Sequence, residues 1–246
     1  MSASELQIEA RGGVRLLTLN RPQRRNAIDT ALAEALVAAL RAADREPGVG
    51  ALVLAAAGTV FSSGADIGEF KGERADPVAE ARRSDAYVEL LLAFRQCAVP
   101  VVAAVHGHAI GLGAALVSVA DMAVLGESAR VSYPEVPHGM MPGLVAPVVQ
   151  AFVPGRTAFE MLMLGTAVGG AEALACGIAS RVVPDAEVGA AALALAARLA
   201  ALDGGTVRST KRMLAATAHL SFAEALRAGR DAGRARAAVP GGGGAG

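Results

Sequence analysis

Tryptophan is absent from this 246-residue chain, and only two cysteines occur, Cys97 and Cys176. Aromatic residues make up 3% of the whole, too few for base-stacking platforms or carbohydrate-type clamps. Two cysteines without CxxC spacing argue against a disulfide scaffold and a zinc-thiolate site. Net charge is also missing: Lys+Arg and Asp+Glu both total 23. That removes the basic face on which nucleic-acid affinity rests, although one locally basic pocket stays open. Lysine is scarce, with Lys71 and Lys211 alone, and this reads as genome composition. No run reaches the roughly 18 apolar residues of a spanning helix. The start, Met-Ser-Ala-Ser-Glu, has no basic segment followed by an apolar core, so the expected location is cytoplasmic, away from membranes. HExxH, P-loop, GxSxG and EF-hand patterns are lacking, and no metal site is expected. Gly111-Leu112-Gly113 followed by Leu116 lacks the third glycine of a dinucleotide fingerprint.

What is present is apolar: 53% of residues are hydrophobic, enough for a large core. Leu16 to Leu19, Ala51 to Ala56 and Val99 to Val105 read as buried strands. Met122 to Leu125 and Arg130 to Ser132 read as shorter ones. Asp29 or Thr30 can cap a helix carrying Leu32, Leu36, Val37 and Leu40 on one side. Residues 79–96 look helical. So do most of 155–164, 171–176, 186–202, 206–217 and 221–238. Strands alternate with helices first and helices dominate last, which gives an α/β fold with a helical extension. The expected organisation is a core over 1–190, a helical region over 191–239 and a flexible glycine-rich tail over 240–246. Gly68 to Pro77 is charged and expected to be mobile.

Two glycine-bearing loops each follow an apolar strand and lead toward a helix. One is Ser63-Gly64-Ala65-Asp66-Ile67, the other Gly107 to Gly113. Backbone N–H groups at such positions suit a developing oxyanion. Taken by themselves, the loops read more plainly as ordinary strand-to-helix turns, because glycine turns are common.

Larger blocks occur in one order. They are Leu17-Thr18-Leu19-Asn20-Arg21-Pro22 with Asn26-Ala27, Phe61 to Ile67, Pro100 to Gly107, Gly111-Leu112-Gly113 with Ala120-Asp121, and Pro134-Glu135-Val136. Together, and with Thr210-Lys211, they resemble the crotonase superfamily, the enoyl-CoA hydratase/isomerase family, from about Leu16 to Met213. The resemblance implies a crotonase-like spiral of β-β-α units with a helical C-terminal trimerisation region. It implies an acyl-CoA thioester as substrate, no separate cofactor, and a homotrimer or hexamer. It implies that the Ala65 and Leu112 N–H groups hold the thioester oxygen. The turn from Arg24 and Arg25 to Ala27 would line the coenzyme A channel with Ser63, Gly64, Ala65, Asp66 and Ile67. Gly111, Ala115, Glu135, His138 and Gly139 complete the expected acyl-CoA contacts. The charges of Arg24 and Arg25 suit phosphates, and suit a solvated turn equally.

Hydratases of the family carry two glutamates. The position of the first is Ala115 here, whereas Glu135 stands at the second. A methyl group moves no proton. One carboxylate beside a stabilised enolate can still take a proton from the α carbon and return it to the far carbon of the allylic system. The expected activity is therefore an enoyl-CoA isomerase, moving a double bond from the 3 to the 2 position. The alternatives are a 2-enoyl-CoA hydratase with an incomplete dyad and a non-catalytic acyl-CoA-binding protein, the last because Leu112 could fill the cavity. Leu112 stands where hydratases usually have glycine. Arg234 to Val239 lacks their aromatic-and-lysine ending, which puts adenine contacts there in doubt. Glu69 could approach the pocket, but a solvated loop charge is the plainer expectation. His108 and His138 are expected at the surface or in structural roles. Asp66 should tie its loop through backbone amides. Met140, Met141, Pro142 and Leu144 should form acyl wall or plain core. Cys97 and Cys176 should be buried thiols.

Overall fold

The computed structural model describes residues 4–69 and 76–237. The tail over 240–246 and most of the charged stretch from Gly68 to Pro77 lie outside the described residues.

In chain order the strands are β1 (Leu6–Arg11), β2 (Val14–Leu19), β3 (Ala51–Ala56), β4 (Val101–Val105), β5 (His108–Ile110), β6 (Met122–Gly126), β7 (Arg130–Ser132) and β8 (Arg181–Val183). The helices are α1 (Thr30–Arg45), α2 (Pro77–Gln96), α3 (Leu112–Val119), α4 (Val145–Phe152), α5 (Gly155–Leu164), α6 (Gly170–Ala175), α7 (Val188–Ala200), α8 (Gly204–Thr217) and α9 (Phe222–Ala237). One sheet runs β1-β2-β3-β4-β6-β8 and is parallel apart from the β1–β2 hairpin. A second layer is built on the parallel pair β5–β7. Single bridges extend it, Ile28 to Ala65 and Ser62 to Ala109 on one side and Val131 to Val168 on the other. Each turn of the chain thus leaves one strand in the large sheet and a shorter extended piece in the small one.

The central strands read as unbroken apolar runs because both of their faces are covered. Ala51 and Val53 of β3, with Val102 and Ala104 of β4, pack against Val188, Ala192, Leu195 and Ala196 of α7. The alternate residues Leu52, Leu54, Val101, Ala103 and Val105 join the main core with Leu32, Leu36 and Leu40 of α1 and Leu90 and Phe94 of α2. The period of two along the strands separates the two cores. Asp29 caps α1 as expected, accepting from Leu32 N at 2.8 Å. The boundary drawn after residue 190 falls inside α7, and this helix covers the sheet, so its residues beyond 190 belong with the core.

The following helix behaves differently. No residue of α8 is buried. It is held instead by two cations. Arg208 donates to Asp44 O and Oδ1 and to Val49 O at 2.8–2.9 Å. Lys211 donates to Phe94 O, Val99 O and Asp121 Oδ2. Between α8 and the end of α3 lies a cavity of about 620 Å³, lined in part by Val117, Phe152, Leu199 and Leu214. Replacing Lys211 by Ala strands two carbonyls and a carboxylate, at a cost of about 1–3 kcal/mol. At ~2–4 °C per kcal/mol for a chain of this size, a thermal melt of the variant should show the loss. Among the described residues, no single helix is long and apolar enough to cross a membrane.

Candidate active site

The turn after β2 is organised by a buried amide. Asn26 is fully buried at φ 50°, in the left-handed region that asparagine tolerates. Its Oδ1 accepts from Arg21 N, and its Nδ2 donates to Ala57 O and Val60 O, each at 2.8 Å. Its carbonyl accepts from Ser62 Oγ, which itself accepts from Gly64 N. One side chain therefore fixes this turn to the loop that follows β3. Ala27 is buried beside it, while Arg24 and Arg25 are exposed at the surface of the turn.

That loop pairs with Ile28. Ile28 N donates to Gly64 O and Asp66 N donates to Ile28 O. N–H groups alternate in direction along an extended backbone, so the Ala65 N–H points away from Ile28. On that side stands the second glycine loop. A Cβ added to Gly64 would lie 2.7 Å from Ile110 O and 3.3 Å from Leu112 N. Gly111 N donates to Ser132 O, and Gly111 then takes φ 54°, ψ −119°, which turns the next peptide out of the sheet. Leu112 opens α3, where the first N–H groups have no intrahelical partner. Among the described residues, neither Ala65 N nor Leu112 N donates a hydrogen bond. Two unused main-chain donors thus flank one spot, at the positive end of a helix.

Glu135 completes the arrangement. A Cβ on Gly111 would lie 2.8 Å from Glu135 Oε1, so the carboxylate sits against the peptide that presents Leu112 N–H. Its Oε2 is buried without a hydrogen-bond partner. Burial pushes the carboxyl above its usual range, and its own backbone amide and His138 offset this in part. Ionisation is disfavoured in the fold, so this group's contribution to stability is greatest at low pH. It is lost as pH rises from the ordinary glutamate value, about 4.3, through the raised one. The Gln variant has no such dependence. In parallel melts from pH 4 to 8, the advantage of Glu135→Gln over the parent should be absent at the acid end and grow with pH.

Ala115 is fully buried, one turn into α3. Leu112 is 5% exposed and belongs to the main core. Glu69 is half-buried, three residues after Asp66. It accepts from Thr30 N and Oγ1 at 3.1–3.2 Å. Asp66 holds Gly68 N, as expected, and in addition pairs with Arg21 and Arg24. Ser63 is half-buried, while Ile67 and Gly139 are exposed. His108 and His138 are surface residues. His138 Nδ1–H donates to Pro134 O at 2.6 Å, which fixes its ring beside Glu135. Met140 and Met141 are not core: they are 53% and 91% exposed, on the loop after Glu135. Cys97 is buried, but Cys176 only partly. Arg21 and Asn26 are the residues that sequence reasoning passed over. Both lie in the Leu17 to Ala27 block, yet their partners Asp66, Ala57 and Val60 lie far along the chain.

The chain is similar to known proteins along most of its length. The family model described as enoyl-CoA hydratase/isomerase matches residues 9–233. A probable enoyl-CoA hydratase of Rhizobium meliloti is 34% identical over 232 residues, covering 92% of this chain and 87% of that one. The 2,3-dehydroadipyl-CoA hydratase of Escherichia coli is 32% identical over 212 residues, covering 86% and 82%. The crystal structure of human enoyl coenzyme A hydratase domain-containing protein 3 superposes with a TM-score of 0.92 at 26% identity, covering 97% and 94%.

Proposed function

The chain belongs to the enoyl-CoA hydratase/isomerase family, and from that premise we propose that it is an enoyl-CoA isomerase that shifts a double bond from the 3 to the 2 position. The observation that carries the proposal is one buried, unpaired carboxylate oxygen beside the donor peptide, with a methyl group at the other acid position. The thioester oxygen accepts from Ala65 N–H and Leu112 N–H, which lowers the cost of forming an enolate. The Glu135 carboxylate removes a proton from the α carbon. The electron pair delocalises over the allylic system and the oxygen. The Glu135 carboxyl then delivers the same proton to the γ carbon, and the electrons settle between the α and β carbons. No atom is gained or lost. Coenzyme A travels as part of the substrate, and no further cofactor enters.

The raised carboxyl suits this work. A raised pKa makes the carboxylate a stronger base toward the α proton, and a desolvated one is not diverted by water. Arg24 and Arg25, exposed at the neighbouring turn, supply charge for the substrate phosphates. Leu214, Phe222 and Leu226 are exposed on α8 and α9 and support self-association through these helices.

A second reading is favoured by the relatives named as hydratases. It requires water to be activated with one carboxylate only. The two are separated by supplying each substrate. A 3-enoyl-CoA should gain the absorbance of a conjugated thioester. A 2-enoyl-CoA should be converted to 3-hydroxyacyl-CoA at a far lower rate. Hydration outpacing isomerisation across chain lengths would reverse the assignment.

A further inference from the structure

The turn between β2 and α1 buries a cation that the chemistry above does not use. Arg21 is 5% exposed. Its Nη1 lies 2.8 Å from Asp29 Oδ2, its Nη2 3.2 Å from Asp66 Oδ2 and its Nε 3.1 Å from Glu5 Oε1. Nη1 also donates to Ala27 O at 2.7 Å. Arg24 reaches the same Asp66 oxygen from the surface at 3.5 Å.

A buried charge cluster is a weak source of stability, since apolar residues of similar volume often do as well. Its connections are more informative. Asp66 follows Ala65, and Asp29 follows Ile28. Ile28 and Ala65 are the two residues of the bridge that aims the Ala65 N–H. One guanidinium therefore holds the residue after each bridge partner. Asp29 is in turn fixed as the cap of α1, and the second Asp66 oxygen accepts from Gly68 N. The bridge itself holds the Ala65 peptide through Ile28 N on Gly64 O, and the fork ties together the residues that follow its two members. If Arg21 were lost, Asp29 would lose its cation and Asp66 would keep only the exposed Arg24 behind a developing enolate, and like charges repel strongly where water is excluded.

We propose that Arg21 is a positioning residue for the oxyanion donor Ala65: its fork across Asp29 and Asp66 sets the direction of that N–H, and its charge partly offsets the two carboxylates behind it. The proposal rests on the oxyanion role of Ala65 given above. Lysine keeps the charge but offers one point in place of a planar fork, so it cannot serve both acids in the same geometry.

The test uses the full chain with Arg21→Lys and Asp66→Asn, the latter retaining an oxygen for Gly68 N. Two readouts are needed: kcat and KM on a 3-enoyl-CoA, and the red shift of a bound 2,4-dienoyl-CoA, whose absorbance moves as its carbonyl is polarised. Both variants should lose about 10–10²-fold in kcat with KM within ~3-fold, the scale of a displaced catalytic contact. Both should show a smaller red shift. Lower melting temperatures with an unchanged red shift and unchanged kcat would reduce Arg21 to a structural residue and overturn the proposal. If Arg21→Lys does not fold, Asp66→Asn decides alone. A parent protein that binds the dienoyl thioester without any red shift would remove the oxyanion reading itself. Glu135→Gln, with the red shift kept and turnover gone, separates a failed base from a failed cradle.

Discussion

Replacing Glu135 by Gln should lower the rate of double-bond migration by about 10²–10⁴-fold or more, the range for removing an acid/base group. The substitution keeps volume and shape, and the neighbouring Gly111 has no side chain to rearrange. The main-chain donors are untouched and thioester binding should survive, so the loss should fall on kcat. Ala115 offers no second acid, and Glu69 is committed to Thr30, so neither can rescue the reaction. Following the conjugated thioester absorbance at saturating substrate reads the effect directly. A variant with the parent's rate would take Glu135 out of the mechanism. The parent's own kcat/KM should fall on the acid side at a pH above the ordinary glutamate value, because the base must be ionised and burial resists this.

The second large effect is expected at Gly64. This residue sits at φ 90°, and an added Cβ would come within 2.7 Å of Ile110 O. The obstacle is backbone, so no side chain can swing aside. Gly64→Ala should cost about 1–2 kcal/mol for the left-handed conformation. Overpacking adds about 1–3 kcal/mol. The sum, about 2–5 kcal/mol, should lower the melting temperature by some 4–20 °C. Whatever movement relieves the clash separates Ala65 N–H from Leu112 N–H. An oxyanion donor is worth about 10²–10³ in kcat, so the folded fraction should also be impaired by up to that factor. Activity per folded molecule equal to the parent's would show that the spacing of the two loops does not matter.

Local signals made part of this molecule readable. β3 and β4 show as uninterrupted apolar runs because helices cover both faces. Asp29 announces α1 because a cap is a contact over three residues. The two glycine loops stand out because a sharp peptide reversal needs residues without Cβ. The structure then adds what local pattern cannot hold. β1 has only Leu6 buried, so its outward face hides it from any apolar count. β5 and β8 are three residues each, too short for periodicity to register. Glu69 meets Thr30 across 39 residues of chain, and Arg21 meets Asp66 across 45. Arg24 and Arg25 drew attention as the charged pair of the turn, yet the organising cation is their neighbour. Spacing gives the order of such residues but not which one faces inward. Met140 and Met141 mislead for the opposite reason: hydropathy marks them as interior, and the short loop after Glu135 leaves them outside.

The manner in which α8 is fastened has a consequence for how the molecule comes apart. α7 adheres to the sheet by apolar area, while α8 hangs over a cavity by the two cationic clamps of Arg208 and Lys211. The least costly opening is therefore a swing of the last two helices about residues 201–203, with the sheet and both glycine loops still closed. In the unassociated chain, amide protons of α8 and α9 should exchange with solvent well before those of β3 and β4, and a protease should nick that hinge first, leaving both glycine loops standing.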